Sequence, residues 1–458
     1  MPFASSGQRL PEVGPFENGR ANLERQTILS WSPHSRRQNA RFSWAFVTRQ
    51  RGDELASSEA DSKAWTFRFL TLARALRSVG IGFSTIALPL YMAALGFSPV
   101  TIGLSFVLMT LAGTGLVFFW GVLGDRVGYK NVLIAVEVLF GGSCLILATN
   151  TSLVPVVIAA MMGGYGGQGG GGLRGSFGPG LSAFVGSVWK GSYERTRTIG
   201  TITFIGGIAS LAGYAVLAWV GSRVPAVGDV RAYRDAYLLL MGTTAVAVAA
   251  LLLTKEGLHP PRTAKILTKE GQKFMGKVVV SNVFNGLGLG LAIPLLPLWF
   301  SLRFGYGAGT IAVIFGASTA LSSVASYFSH AVAVRLGSVK TAALTRAANG
   351  VLLVAMALAP LGLVAGAIYA ARGISGGLGA PVRTSVTLGG VAGSEMGVAT
   401  GISGVSMRAS LVSSGAAGYL LAVAENAPLG IGGVLQIVGG ALYYRLLRGT
   451  PASPEGPD

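Results

Sequence analysis

The chain has 458 residues, 51% of them hydrophobic and only 12% charged, with a mean hydropathy of +0.58. A soluble globular protein carries about 25% charged residues, so this chain has too little polar surface to cover a water-soluble body and reads as an integral membrane protein. Its net charge of +18 lies mostly in short segments between apolar runs, where membrane topology accounts for it without nucleic acid; one cysteine, Cys144, and three histidines leave no intrachain disulfide and no expected metal or cofactor.

In chain order, Met1–Lys63 is polar and mixed in charge, with no long apolar window. It is expected to be neither signal peptide nor span, and residues 1–65 are read as a disordered cytoplasmic tail. A helix crossing the hydrocarbon needs roughly 20 apolar residues. Such windows lie at Phe69–Met92, Thr101–Trp120, Val132–Ala148, Leu153–Leu173, Ile199–Val220 and Ala236–Leu253. A second set lies at Val278–Phe300, Thr310–Val334, Thr341–Ala359, Leu361–Ala380, Gly397–Ala424 and Leu429–Leu447. The expected architecture is therefore an all-α membrane protein of twelve transmembrane helices. An N-terminal six-helix bundle (66–254) and a C-terminal one (278–447) are joined by a basic linker (255–277) and followed by a short tail (448–458).

Alternate loops hold Arg126 and Lys130; Lys190, Arg195 and Arg197; six bases between Lys255 and Lys277; Arg335 and Lys340; and Arg383. The intervening loops offer only Arg223, Arg231, Arg234 and Arg303. The positive-inside rule places the basic side, and both termini, in the cytoplasm.

The halves repeat. GIGFSTIALPLY (Gly80–Tyr91) and GLGLAIPLLPLW (Gly288–Trp299) share Gly80, Gly82, Pro89 and Leu90 with Gly288, Gly290, Pro297 and Leu298, a shift of 208 (288 − 80). Arg126 and Gly128 match Arg335 and Gly337 at a shift of 209 (335 − 126). Six helices separate corresponding helices, so the halves keep the same sense across the membrane. Such parallel repeats about an axis along the membrane normal are a known transporter plan, with the site between the halves near mid-membrane.

Between spans two and three lies GVLGDRVGYKN (Gly121–Asn131). Its G-x-L-x-D-R-x-G-x-K pattern, carried by Gly121, Leu123, Asp125, Arg126, Gly128 and Lys130 within a six-plus-six duplication, resembles the major facilitator superfamily over about Phe69–Leu447. In the second half AVAVRLGSVK (Ala331–Lys340) puts Val334 where the acid would be. The resemblance implies a cytoplasmic latch made by Gly121, Gly124, Asp125, Arg126, Gly128 and Lys130. Glycines allow close helix approach, an acid can cap a neighbouring helix, and the bases hold the turn; the plainer alternative is a topology anchor.

Ionisable groups inside a bilayer are costly and mark function. Arg372 falls near the middle of span ten and Arg408 near the middle of span eleven at a rise of about 1.5 Å per residue. The resemblance makes span ten a cavity wall, so Arg372 is the first candidate for a substrate contact, against a hydrogen bond to helix carbonyls. Arg77 and Ser84 share a face of span one, although Arg77 can also snorkel to the headgroups. Asn282 and Asn285 share a face of span seven, and Gln168 sits in span four; all three amides are equally readable as helix-packing contacts. Glu137 is the only carboxylate well inside a span. It can exchange a proton or form an ion pair with Arg74, Arg77 or Arg174, and the pair is preferred.

GYGGQG (Gly164–Gly169) has the dinucleotide-loop spacing but lies within a span, without the preceding strand such a loop requires. No G-x-x-x-x-G-K-[ST] loop is present. The expected molecule is a monomeric secondary transporter of the inner (plasma) membrane, not an enzyme. It would move a small anionic or amphipathic solute by rocking two bundles, driven by an ion gradient, protons foremost, or by the solute's own gradient, efflux included. A receptor or scaffold that keeps the carrier fold without moving solute is the alternative.

Overall fold

The computed structural model describes residues 33–164, 177–189, 192–257, 267–391 and 395–449, with side chains from residue 61 onward apart from a few positions. Met1–Asp61 and Ser62–Asp458 form separate units, and the transmembrane architecture belongs to the second. Every regular element is helical, with no strand among the described residues.

The first half contains α1 (Pro33–Ala94), α2 (Pro99–Val127), α3 (Tyr129–Thr149), α4 (Leu153–Gly163), α5 (Phe177–Val188), α6 (Ser192–Val227) and α7 (Asp229–Leu252). The second contains α8 (Lys269–Ala292), α9 (Leu296–Phe304), α10 (Ala308–Tyr327), α11 (Ser329–Leu336), α12 (Ser338–Ala357), α13 (Gly362–Gly389), α14 (Met396–Ser410), α15 (Ser414–Val423) and α16 (Ala427–Leu447). Among the described residues eight stretches are long and apolar enough to cross a bilayer unaided. The other four spans have visible reasons for falling short. Span four lies partly outside the described residues, which show its α4 and α5, and span eleven is made of α14 and α15, while α12 and α13 carry Arg346, Arg372 and Arg383.

Two boundaries differ from the sequence expectation. Residues 33–65 belong to α1 rather than to a disordered tail: the stretch lacks proline after Pro33 and holds five Ala and five Arg, which propagate a helix without an apolar face. The linker is shorter than 255–277, because Thr268 caps α8 by accepting from Gly271 N at 3.2 Å, so Lys269, Lys273 and Lys277 fall on helix. Span seven breaks into α8 and α9 at Ile293–Leu295. Pro294 and Pro297 lack the amide hydrogens that would carry the ladder through.

The packing repeats as the sequence does. Span two lies on span eleven (α2 on α15) and span five on span eight (α6 on α10). A shift of six spans converts one pair into the other, as a two-fold axis requires. Within the halves, α3 on α7 is matched by α12 on α16, and α3 on α4 by α12 on α13.

The cores show where the halves join. At the end where α1 meets α2, one cluster runs through both, with Ile102, Phe106, Tyr214 and Leu217 beside Ile311, Phe315, Ala417 and Leu421. At the end where α2 meets α3 there are two clusters, one per half. The first centres on Leu133, Phe184 and Leu251 and the second on Phe274, Val382 and Leu447. The halves are fused at the first end and have separate cores at the second.

Candidate functional site

The motif turn is built around Gly128, whose φ of 90 lets one residue end α2 and begin α3. Gly124 is bare because the Tyr129 ring sits 2.6 Å from where its Cβ would be. Glu256, just beyond α7, caps α3: its carboxylate accepts from Tyr129 N at 2.6 Å and from Lys130 N at 3.1 Å. Lys130 Nζ in return donates to Leu252 O and Thr254 O, at 2.7 Å each, satisfying the carbonyl end of α7. Arg126 is exposed. Gly121 and Asp125 lie in α2 with side chains outside the described residues. The described contacts of the motif thus fasten α3 to α7 within the first half. In the second half Gly337, with φ of 83, makes the same turn between α11 and α12.

At the fused end the backbones touch. A Cβ on Gly103 would lie 2.9 Å from Gly418 Cα, and one on Gly221 would lie 2.7 Å from Gly309 N. Further in, Tyr214 and Thr319 share a hydrogen bond of 3.0 Å between α6 and α10.

The intramembrane candidates separate into two groups. Arg77 Nη1 and Glu137 Oε1 form an ion pair at 3.1 Å, with exposures of 2% and 0%, and the guanidinium lies 5.0 Å from the Phe140 ring centre. Ser84 is fully buried, its hydroxyl without a partner. Asn282 accepts from Arg346 Nη2 at 2.7 Å and donates to Ser403 and Ser406 at 3.1 and 3.3 Å, while Asn285 donates to Met407 Sδ at 3.8 Å. Apart from Ser84, these side chains tie helices together. Gln168 lies outside the described residues.

Arg372 and Arg408 form the second group, both partly exposed. Arg372 is near the middle of α13, its guanidinium 5.8 Å from the Tyr369 ring centre and its Nε without a hydrogen-bond partner. One turn on, Gly376 faces open space. Neither arginine forms an ion pair among the described residues.

Sequence reasoning missed Arg346, Glu256 and the Tyr214–Thr319 bridge. The repeat held a signal for the first: a shift of 209 carries Glu137 onto Arg346 (346 − 137).

The sequence profile of the Major Facilitator Superfamily matches residues 70–416. Among solved structures, the fold is similar to a mutant of the nucleoside transporter NupG, at 12% identity and a TM-score of 0.63, over 83% of this chain and 98% of that one. It is similar to a D-xylose-proton symporter at 14% identity and a TM-score of 0.66, over 85% and 99%. It is also similar to an auto-inhibited POT family peptide transporter at 11% and 0.68, over 86% and 98%. At these identities the likeness is one of fold. No curated protein matches the chain in sequence. The profile match, the twelve spans and the two-fold packing agree: this chain belongs to the Major Facilitator Superfamily.

Proposed function

We propose that the protein is a secondary active transporter that moves small anionic or amphipathic organic solutes by alternating access. It works as a monomer in the cytoplasmic membrane, with the basic end and both termini inside the cell, and exports its solute in exchange for protons that enter down their gradient. The observation that carries this reading is Arg372, a mid-span cation with an unpartnered Nε and a partly exposed side chain, in a protein whose halves, among the described residues, share a core at one end and have separate cores at the other. An unmatched charge at that depth is expensive to maintain, and an anionic solute entering from the end where the cores separate would neutralise it. Glu137, the one carboxylate deep in a described span, is the candidate for proton exchange.

The test uses purified protein in liposomes loaded with a pH-sensitive dye. Aromatic and alkyl carboxylates and sulfonates are offered one at a time across an imposed pH gradient. Some of them should drive proton movement, and Arg372→Gln should abolish it. If Arg372→Gln moves every accepted anion as well as the wild type does, the anion preference falls. If solutes exchange without any proton flux, the coupling falls.

A further inference from the structure

The second half holds two buried or half-buried arginines that the transport reading does not use. Arg346, 3% exposed on α12, donates from Nη1 to Ser281 at 2.5 Å and from Nη2 to Asn282 at 2.7 Å, but its Nε has no partner. Its guanidinium lies over the Tyr443 ring at 4.4 Å, and the Tyr443 hydroxyl, on a residue 1% exposed, also has no partner. Arg383 on α13 folds back so that its Nη1 and Thr345 Oγ1 both crowd the bare face of Gly379. That places it beside the turn of α12 carrying Arg346, near enough for the two charges to act on each other and on Tyr443. Thr341 Oγ1, one turn before Thr345, is buried without a partner too. Neither arginine has a carboxylate partner among the described residues.

The first half shows what such a cluster needs. At the position equivalent to Arg346 stands Glu137, which pairs with Arg77 and also faces the buried Arg74, so one buried acid serves two buried bases there. In the second half the acid has become a base and the balancing charge is missing. Two like charges, one buried and one partly exposed, beside unpartnered polar atoms on Arg346, Tyr443 and Thr341, favour an anion.

We propose that Arg346 and Arg383, with the hydroxyls of Tyr443 and Thr341, bind a small oxyanion inside the C-terminal half, separate from the Arg372 site. Guanidinium groups meet phosphate, sulfate or carboxylate oxygens in pairs, which favours an oxyanion over a halide. Arg383 is partly exposed and gives the cluster a way to water, and a groove between α11, α12 and α13 lined by Thr341 and Thr345 gives it a way to lipid. The oxyanion is thus either free or a phospholipid headgroup. The proposal stands whatever solute the carrier moves.

Thermal melting of the full chain in nonionic detergent decides it. One arm titrates sodium phosphate at constant ionic strength set with sodium chloride; the other adds phosphatidylglycerol without phosphate. The wild type should show a saturable rise in melting temperature in at least one arm, which identifies the source, because a ligand of the folded state stabilises it by mass action. Arg383→Gln should raise the half-saturating concentration at least tenfold, and Tyr443→Phe should raise it less. Without either ligand, Arg383→Gln should melt no lower than the wild type, since it removes one of two repelling charges; a merely structural arginine would give the opposite sign. Arg372→Gln should keep the response. An unsaturable rise equal in wild type and Arg383→Gln, no rise in either arm, or a response lost in Arg372→Gln instead would overturn the proposal.

Discussion

Glu137 shows what one residue can and cannot say by itself. Its depth in a span marks it as important, and its partner is one of three arginines that the linear sequence cannot separate, because the pair closes between residues 60 positions apart. The folded chain selects Arg77, at 3.1 Å. Breaking a buried pair from one side leaves an uncompensated charge, at about 3–5 kcal/mol, whereas replacing both members with apolar side chains of similar volume is often neutral. Glu137→Leu alone should therefore melt far below the wild type, and Glu137→Leu with Arg77→Met should recover most of the loss. If Glu137 carries the coupling proton, the recovered double variant should still exchange solute for solute but no longer accumulate it against a gradient. Full proton-driven accumulation by that variant would remove Glu137 from the mechanism. Arg346 was harder to see than Glu137, since an arginine near the basic end of a span reads as one that snorkels outward. Only the repeat, which sets it opposite an acid, singles it out.

At the scale of helices, hydropathy located the spans well because a bilayer demands long apolar runs. It was blind to where a span is made of two pieces. The break in span seven had a signal in Pro294 and Pro297, but Pro381 sits inside the unbroken α13, so proline alone does not decide. The break in span eleven, a short 3₁₀ turn at Leu411–Ser413, contains no proline or glycine at all. Which helices meet across the halves was likewise hidden until the repeat was folded. Glycine marks those contacts afterwards: Gly103 against Gly418, and Gly221 against Gly309. A branched side chain at Gly221 would have to push α6 from α10, and overpacking typically costs about 1–3 kcal/mol, equivalent to a roughly 5–150-fold shift between two states. Gly221→Val should thus loosen the fused end. An Ala417→Cys probe in α15, fully buried in the wild-type arrangement, should react faster with a membrane-impermeant maleimide added from outside. Cys144 is also fully buried and adds little background. Unchanged labelling would mean that this contact does not hold the outer end shut.

For the whole molecule, the central matter is whether the two ends are coupled. Packed interfaces are bistable rather than continuously deformable, so two rigid halves that pivot on their shared face should close at the basic end when they part at the other. The fused core at one end and the divided cores at the other correspond to one of two such arrangements. Gly376 offers a probe of the divided end, because a side chain there would meet nothing within 4 Å and it lies one turn from Arg372. In inside-out vesicles, Gly376→Cys should be labelled readily by an impermeant maleimide. A wedge placed at the opposite end, Gly418→Val, should slow that labelling by roughly the factor that its strain sets, about 5-fold or more, though the two positions lie on different helices at different depths. A wedge that merely destabilised the fold would speed the labelling instead. One that left it unchanged would show that the ends move independently, and a carrier without that coupling would leak.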